Sequence, residues 1–324
     1  MMRAVTAVRQ WLDELAQAWN EFWFAPAAPH TLAMIRVLAG SMLFYTHLVW
    51  GIDLVAFLGP HPWLTREAVS QIAGSDYAWS YLWHIESPAL LYIAHAAALI
   101  VFLLLVVGYR TRIVSVLAWI ITLAYCHRLQ GALYGLDQVN AMLAMYLMVG
   151  PAGDAYSVDV WLRRRSLGQP NMTPEPRIAT NIAIRLMQVH LSIVYLFGGI
   201  SKLKGNLWWD GSAVWFAFAN YEYQSVDMTW IAAYPWVIAS LTHATIFWET
   251  FYPVLVWPRL TRPIMIFMAV CVHGGIALCL GMPTFGLAMI IANMAFLPPT
   301  LVESIVSSVR AWVAPTRGRV SSAA

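Results

Sequence analysis

The chain has 324 residues, 60% of them hydrophobic and only 11% charged, with a formal net charge of +3. A soluble domain of this length carries closer to a quarter charged residues, so a soluble globular fold is excluded. No basic tract interleaved with aromatics is present, which speaks against a nucleic-acid partner.

Several runs approach the ~20 apolar residues that cross a bilayer. Lipid admits only helices or closed barrels, and these runs lack a period-2 alternation. The expected fold is therefore all-α, a polytopic bundle of about eight transmembrane helices whose lipid contacts are part of its structure. Three segments are expected: 1–29, an amphipathic interfacial helix; 30–300, the transmembrane domain; and 301–324, a short cytoplasmic tail.

In 1–29, Val5, Val8, Leu12, Leu15, Trp19 and Phe22 recur at three- and four-residue steps, ending before Pro26. Asp13, Glu14 and Glu21 interrupt any signal-peptide core. Such a helix lies in the interface plane or packs on other helices.

The eight spans read as 31–52, 88–107, 112–128, 133–150, 181–200, 235–257, 262–281 and 283–300. The loop 53–87 carries Trp63, Trp79 and Trp83, interface anchors or parts of a lid over an outer cavity. The connector 151–180 reads as solvated. With the N-terminus inside, inward segments hold Arg3, Arg9, Arg110, Arg112, Arg163, Arg164, Arg165, Arg177, Arg259, Arg262, Arg310, Arg317 and Arg319, whereas outward loops hold Arg66, Arg128, Lys202 and Lys204. The positive-inside rule then puts both termini in the cytoplasm and the Lys202 stretch outside, as expected of a multi-pass protein of a bacterial cytoplasmic membrane.

The only two lysines, Lys202 and Lys204, stand just past the fifth span, after Gly198 and Gly199, which let helices approach closely. A lysine at this height is a snorkelling anchor or a partly desolvated general base. Trp208 and Trp209 follow as a wall for a flat ligand, and Lys204, further out, reads as an anchor. Asp210 reads as the N-cap of a re-entrant or half helix, or as a partner orienting an amine. Asp137, on the same outer side, is an expected partner for Lys202. Glu249 in the sixth span and Arg36 in the first each need a partner or water, being costly in lipid. His47, His95, His190, His273 and Gln188 also lie within spans, where a satisfied core role competes with a functional one. No His, Cys or carboxylate pair has metal-ligand spacing, so no metal is expected. Cys126, Cys271 and Cys279 fall in apolar runs and read as buried small side chains. No P-loop, nucleotide-binding glycine motif or nucleophile elbow occurs.

The stretch from Tyr195 to Trp215, with Gly198-Gly-Ile-Ser-Lys202 and Trp208-Trp-Asp-Gly at its centre, resembles the signature of the HTTM family, the horizontally transferred transmembrane domain found in the membrane part of vitamin K-dependent γ-glutamyl carboxylase. Leu32-Ala-Met-Ile-Arg36, Gly108-Tyr-Arg110, Tyr156-Ser-Val-Asp159, Cys271-Val-His273 and Leu280-Gly-Met282 resemble further family segments. The resemblance implies that Lys202 deprotonates a reduced quinone, vitamin K or menaquinone hydroquinone, with oxygen then generating the base that opens glutamate to CO2. It places His273 and Met282 near the quinone and Trp208 and Trp209 in its wall. Ser201 stands where the carboxylase has a second lysine, and the soluble portion that captures a propeptide is expected to be missing. A separate soluble substrate-binding protein or an exported peptide is accordingly an expected partner. The rival implication is a non-catalytic membrane subunit for maturation of, or immunity to, an exported peptide; a transporter is the weakest reading, as no repeated broken-helix pair is visible.

Overall fold

Ten long helices carry the architecture of the computed structural model, which describes residues 2–73 and 79–313. They are α1 (Met2–Phe24), α2 (His30–Trp50), α3 (Pro88–Val107), α4 (Thr111–Arg128), α5 (Gly135–Val149), α6 (Ile178–Leu203), α7 (Pro235–Leu255), α8 (Arg262–Cys279), α9 (Pro283–Asn293) and α10 (Pro299–Val313). Among the described residues there is no strand; an isolated antiparallel bridge joins Ala27 to Arg177. Arg317 and Arg319 lie outside the described residues, as does the side chain of Arg3.

By length and composition, α2, α3, α6 and α8 qualify as membrane spans, and α9 with α10 makes a fifth if that pair, bent by 119°, is one broken span. The remaining expected spans fall short of this measure for visible reasons. α5 and α9 have 15 and 11 residues, below the ~20 needed to cross the hydrocarbon. α4 carries Arg112 at its start and His127 and Arg128 at its end, while α7 mixes aromatic and polar residues and contains Pro253.

Two apolar clusters share α2, and a third joins Leu91 of α3 and Tyr125 of α4 to Leu54, Leu58 and Leu82 of the loop between α2 and α3. Leu32 and Ile35 of α2 join Leu143 of α5, Leu191 of α6, Tyr252 of α7, Ala269 of α8 and Ala292 of α9 in the larger core. Further along α2, Leu43 packs with Phe102 and Leu105 of α3 and Ala118 of α4. The apolar positions of α1 expected to face an interface, including Val5, Val8, Leu12, Leu15 and Trp19, stay uncovered. The end of α1 is tied down, where its last carbonyls accept from Asn181 and Arg185 of α6. The connector between α5 and α6 is not merely solvated: it contains the helix Val158–Ser166 and an ion pair between Arg177 and Asp154 at 3.0 Å.

Candidate functional site

Three sequence segments expected to matter converge in one knot. The buried Arg36 guanidinium donates to the carbonyls of Ala152 (3.2 Å), Tyr156 (2.6 Å) and Val106 (3.5 Å). Carbonyl oxygens, not an acid, thus answer the question of its partner. Gly108 sits at φ +72°, and a Cβ there would lie 2.3 Å from the guanidinium, so this turn admits only glycine. The Asp159 carboxylate accepts from Arg110 N, Thr111 N and Thr111 Oγ1 at 2.7, 2.8 and 2.7 Å, fixing the start of α4. This knot serves the architecture.

The Lys202 end is built on one stripe of α6. Tyr195, Gly198, Gly199 and Lys202 recur at i, i+3, i+4 and i+7, so they share a face, turned toward α7. Gly199 makes that approach possible, because a Cβ there would lie 2.8 Å from Thr250 N, Cα and Oγ1. At Gly198 it would meet Glu249 Oε2 at 3.2 Å. The two glycines thus hold space for α7 itself and for its carboxylate.

Lys202 Nζ lies 2.5 Å from Glu249 Oε2, with the two side chains 25% and 11% exposed. The ammonium also stands 5.3 Å from the centre of the Trp208 ring, within cation–π range. Lys202, Glu249, Gly198 and Trp208 are therefore brought together. The expected partner Asp137 is not: its carboxylate accepts from Tyr134 N at the start of α5 (3.1 Å), and the ion pair goes to Glu249. Position decides this, since both carboxylates are buried, but Glu249 sits inside the helix pair that Gly198 and Gly199 close, whereas Asp137 caps the start of α5.

Trp209 does not share the wall with Trp208. It is largely exposed, its Nε1 donates to Leu203 O at 2.7 Å, and its carbonyl faces His243 Nε2. Asp210 is not the cap of the half helix. It accepts from Ser212 N at 2.9 Å and Ser212 Oγ at 2.5 Å, and Ser212 is the cap residue of Ala213–Phe218. The Ser212 hydroxyl, then its N–H, hold this exposed carboxylate below the usual range. That short helix and Asn206–Trp209 fold back against α7. Lys204 is exposed.

His273 reaches the same seam from α8. Its Nε2 lies 2.7 Å from Tyr195 Oη, and Asn293 Nδ2 of α9 donates to that same hydroxyl at 2.9 Å. Tyr252 in turn donates to Asn293 Oδ1 at 2.5 Å. His273, Tyr195, Asn293 and Tyr252 form a buried polar chain, walled by Trp248, whose ring centre is 5.0 Å from that of Tyr195. Tyr195 stands two turns before Lys202, about 10 Å along the helix axis. Reasoning from the sequence missed Tyr195, Tyr252 and Asn293 as members of a site; the i, i+7 relation of Tyr195 to Lys202 was the available signal.

Gln188 and Met282 stand apart. Gln188 donates to Ala295 O at 2.7 Å and accepts from Arg185, fourteen residues along α6 from Lys202. Met282 is half-buried at the start of α9, its carbonyl accepting from Gly286 N. Among the described residues no group of three His, Cys, Asp or Glu is placed to hold a metal.

The family model for the HTTM domain matches residues 24–300. No curated protein and no solved structure matches the chain significantly. The matched segment contains the arginine knot, the glycine-mediated seam and the Lys202–Glu249 pair, and the chain belongs to the HTTM domain family, a family of membrane proteins related to the carboxylase membrane domain.

Proposed function

We propose that this membrane protein is a quinol-dependent carboxylase-like enzyme in which Lys202 and Glu249 act together as the base. The observation that carries the reading is the 2.5 Å separation of Lys202 Nζ and Glu249 Oε2 at the aromatic edge of the α6–α7 seam. An ammonium accepts no proton. A carboxylate in direct contact offers the way out: Lys202 passes one proton to Glu249 Oε2, and the resulting amine is free to take another. The pair is net neutral before and after this transfer, so the low-dielectric seam does not oppose it as it would oppose an isolated charge.

The residues present fit a reduced quinone. His273 Nδ1 is buried without a hydrogen-bond partner, as is Thr250 Oγ1 beside the seam, and a quinol oxygen is the kind of group that satisfies them. Trp208 and Trp248 supply flat apolar faces. When bound, the quinol supplies an acidic hydroxyl and the reducing equivalents for reaction with oxygen. Tyr195 and Asn293 fix the ring of His273 through its Nε2. Glutamate in an exported peptide, presented by a separate soluble protein in the carboxylase manner, is the acceptor by family resemblance, with the Lys202 end facing outward from a bacterial cytoplasmic membrane and both termini inside.

A second reading has support from the same pair. A lysine locked to a buried carboxylate is also a structural clamp, which suits a non-catalytic subunit for maturation of, or immunity to, an exported peptide. Purified protein given reduced menaquinone or vitamin K separates the two. Oxygen-dependent epoxide from the wild type and none from Lys202→Ala supports the enzyme. Equal product from both removes Lys202 as base, and no product from either favours the subunit.

A further inference from the structure

At the far end of α6 from Lys202 the chain forms a cavity of about 940 Å³ between the helix Val158–Ser166, the turn that follows it, and α10. Its charge is lopsided. Arg164, Arg165, Arg310 and His30 line it, against the single carboxylate of Glu303. The nearby acids are committed elsewhere, Asp159 to the backbone at the start of α4 and Asp154 to Arg177. The guanidinium groups are held by aromatic faces and a carbonyl rather than by counterions. Arg310 lies over Tyr156 (5.6 Å) and Arg165 over Trp161 (5.5 Å). Arg164 donates to Met172 O at 2.7 Å, and its buried Nε has no hydrogen-bond partner. His30 Nδ1 faces Tyr156 Oη at 3.0 Å, and its Nε2 stands 3.8 Å from Glu303.

α10 supplies the second, independent observation. Glu303, Val306, Ser307 and Arg310 recur at i, i+3, i+4 and i+7 and line the cavity. On the same helix Leu301, Ile305, Val309 and Trp312 form an exposed apolar stripe. A helix with one apolar face uncovered and its polar face turned to a cavity rich in arginine lies in a membrane interface, with headgroups beside it. Arginine forks match phosphate oxygens bidentately, and basic clusters next to spans attract anionic lipid.

We propose that this cavity binds the phosphate of an anionic phospholipid headgroup through Arg164, Arg165 and Arg310, its acyl chains running along the apolar stripe of α10. The site is separate from the Lys202 pair and does not depend on any reaction there.

The test is native mass spectrometry of the full-length protein released from detergent with phosphatidylglycerol or phosphatidylcholine, with thermal melting of each variant as the folding control. The proposal expects phosphatidylglycerol to be retained in preference. It expects Arg165→Gln and Arg310→Gln each to lower that retention about tenfold, the loss of one charge-assisted hydrogen bond. Arg259→Gln, outside the cavity, leaves it unchanged. Glu303→Gln, a change at a largely exposed carboxylate that the fold tolerates, raises retention by removing the one opposing charge. The proposal is overturned if retention is the same in Arg165→Gln, Arg310→Gln and wild type, if phosphatidylcholine is held equally well, or if Glu303→Gln weakens binding. Displacement of the lipid by millimolar inorganic phosphate would assign the cavity to a free phosphate and overturn the lipid source.

Discussion

Lys202 Nζ and Glu249 Oε2 lie 2.5 Å apart although 47 residues separate them in the chain. Each is the other's answer to being taken out of water. Glu249→Gln leaves a mostly buried ammonium without its counter-charge and is expected to cost roughly 2–3 kcal/mol, below the about 3–5 of a fully buried pair because water still reaches Lys202. The double variant Lys202→Met with Glu249→Leu should recover most of that loss. Thermal melting of Lys202→Met, Glu249→Leu and the double gives the coupling; a strictly additive result would show that the two groups do not interact.

If the pair is also the base, activity and stability separate. Lys202→Ala should lower quinol-dependent turnover by about 100-fold or more, the usual contribution of a positioned base. The double Met/Leu variant, folded and stable, should be equally inactive. Recovery of turnover along with stability would mean that the pair is only a clamp.

The seam itself makes a sharp prediction about glycine. Gly199→Ala drives a methyl to 2.8 Å from the Thr250 backbone, so α6 and α7 must separate, at about 1–3 kcal/mol. Gly274→Ala and Gly275→Ala in α8 meet nothing within 4 Å and should be neutral or stabilising by up to about 1 kcal/mol, as in an open helix. Similar losses at all three positions would contradict the packing described here.

Tyr195→Phe removes the hydroxyl shared by His273 and Asn293. It should cost about 1–3 kcal/mol through the polar groups left unpaired. If His273 meets a bound quinol, the variant should also raise the KM for quinol more than it lowers kcat. An unchanged KM alongside lowered stability would confine His273 to the core.

At the opposite end, Arg36→Lys should fail to replace the native residue, because one ammonium cannot span the three carbonyls that the planar fork reaches. Gly108→Ala should be as damaging, since φ +72° and the guanidinium both exclude a side chain. Melting temperatures of the two variants, measured against wild type, check both statements.

The arginine-bearing turns and the Lys202 stretch terminate opposite ends of α6, about 38 Å apart on an ideal helix. Single cysteines replacing Lys204 and Arg163 in a background lacking the native cysteines should be labelled by a membrane-impermeant thiol reagent from opposite sides. Labelling of both from the same side would exclude the expected topology.

Much of this was legible in the chain. The all-helical fold follows from apolar runs without alternation, and the family from motifs around Lys202. Glycines beside Lys202 pointed to close helix packing, and Gly199 meets Thr250 as that spacing requires. The failures share a cause. Asp137 looks like a partner for Lys202 because both border spans at one level, and Trp209 looks like part of the Trp208 wall because the two are adjacent. Neighbours in a turn of helix point in different directions, and depth along a span says nothing of which face a side chain occupies. The eight-span expectation differs for another reason: by length and composition four helices, or five with the bent pair, qualify, because α5 and α9 are short and α4 and α7 more polar.

The sequence by itself determined that this chain is a helical membrane protein with one lysine-bearing boundary, because burial in lipid acts on residue composition and needs no knowledge of neighbours. Which carboxylate neutralises Lys202, which ring faces it, and which three carbonyls hold Arg36 were decided only by tertiary structure. Those choices depend on helix rotation and on contacts between segments tens to more than a hundred residues apart, where charges and hydrogen-bond donors hidden from water must find whatever partner the packing brings.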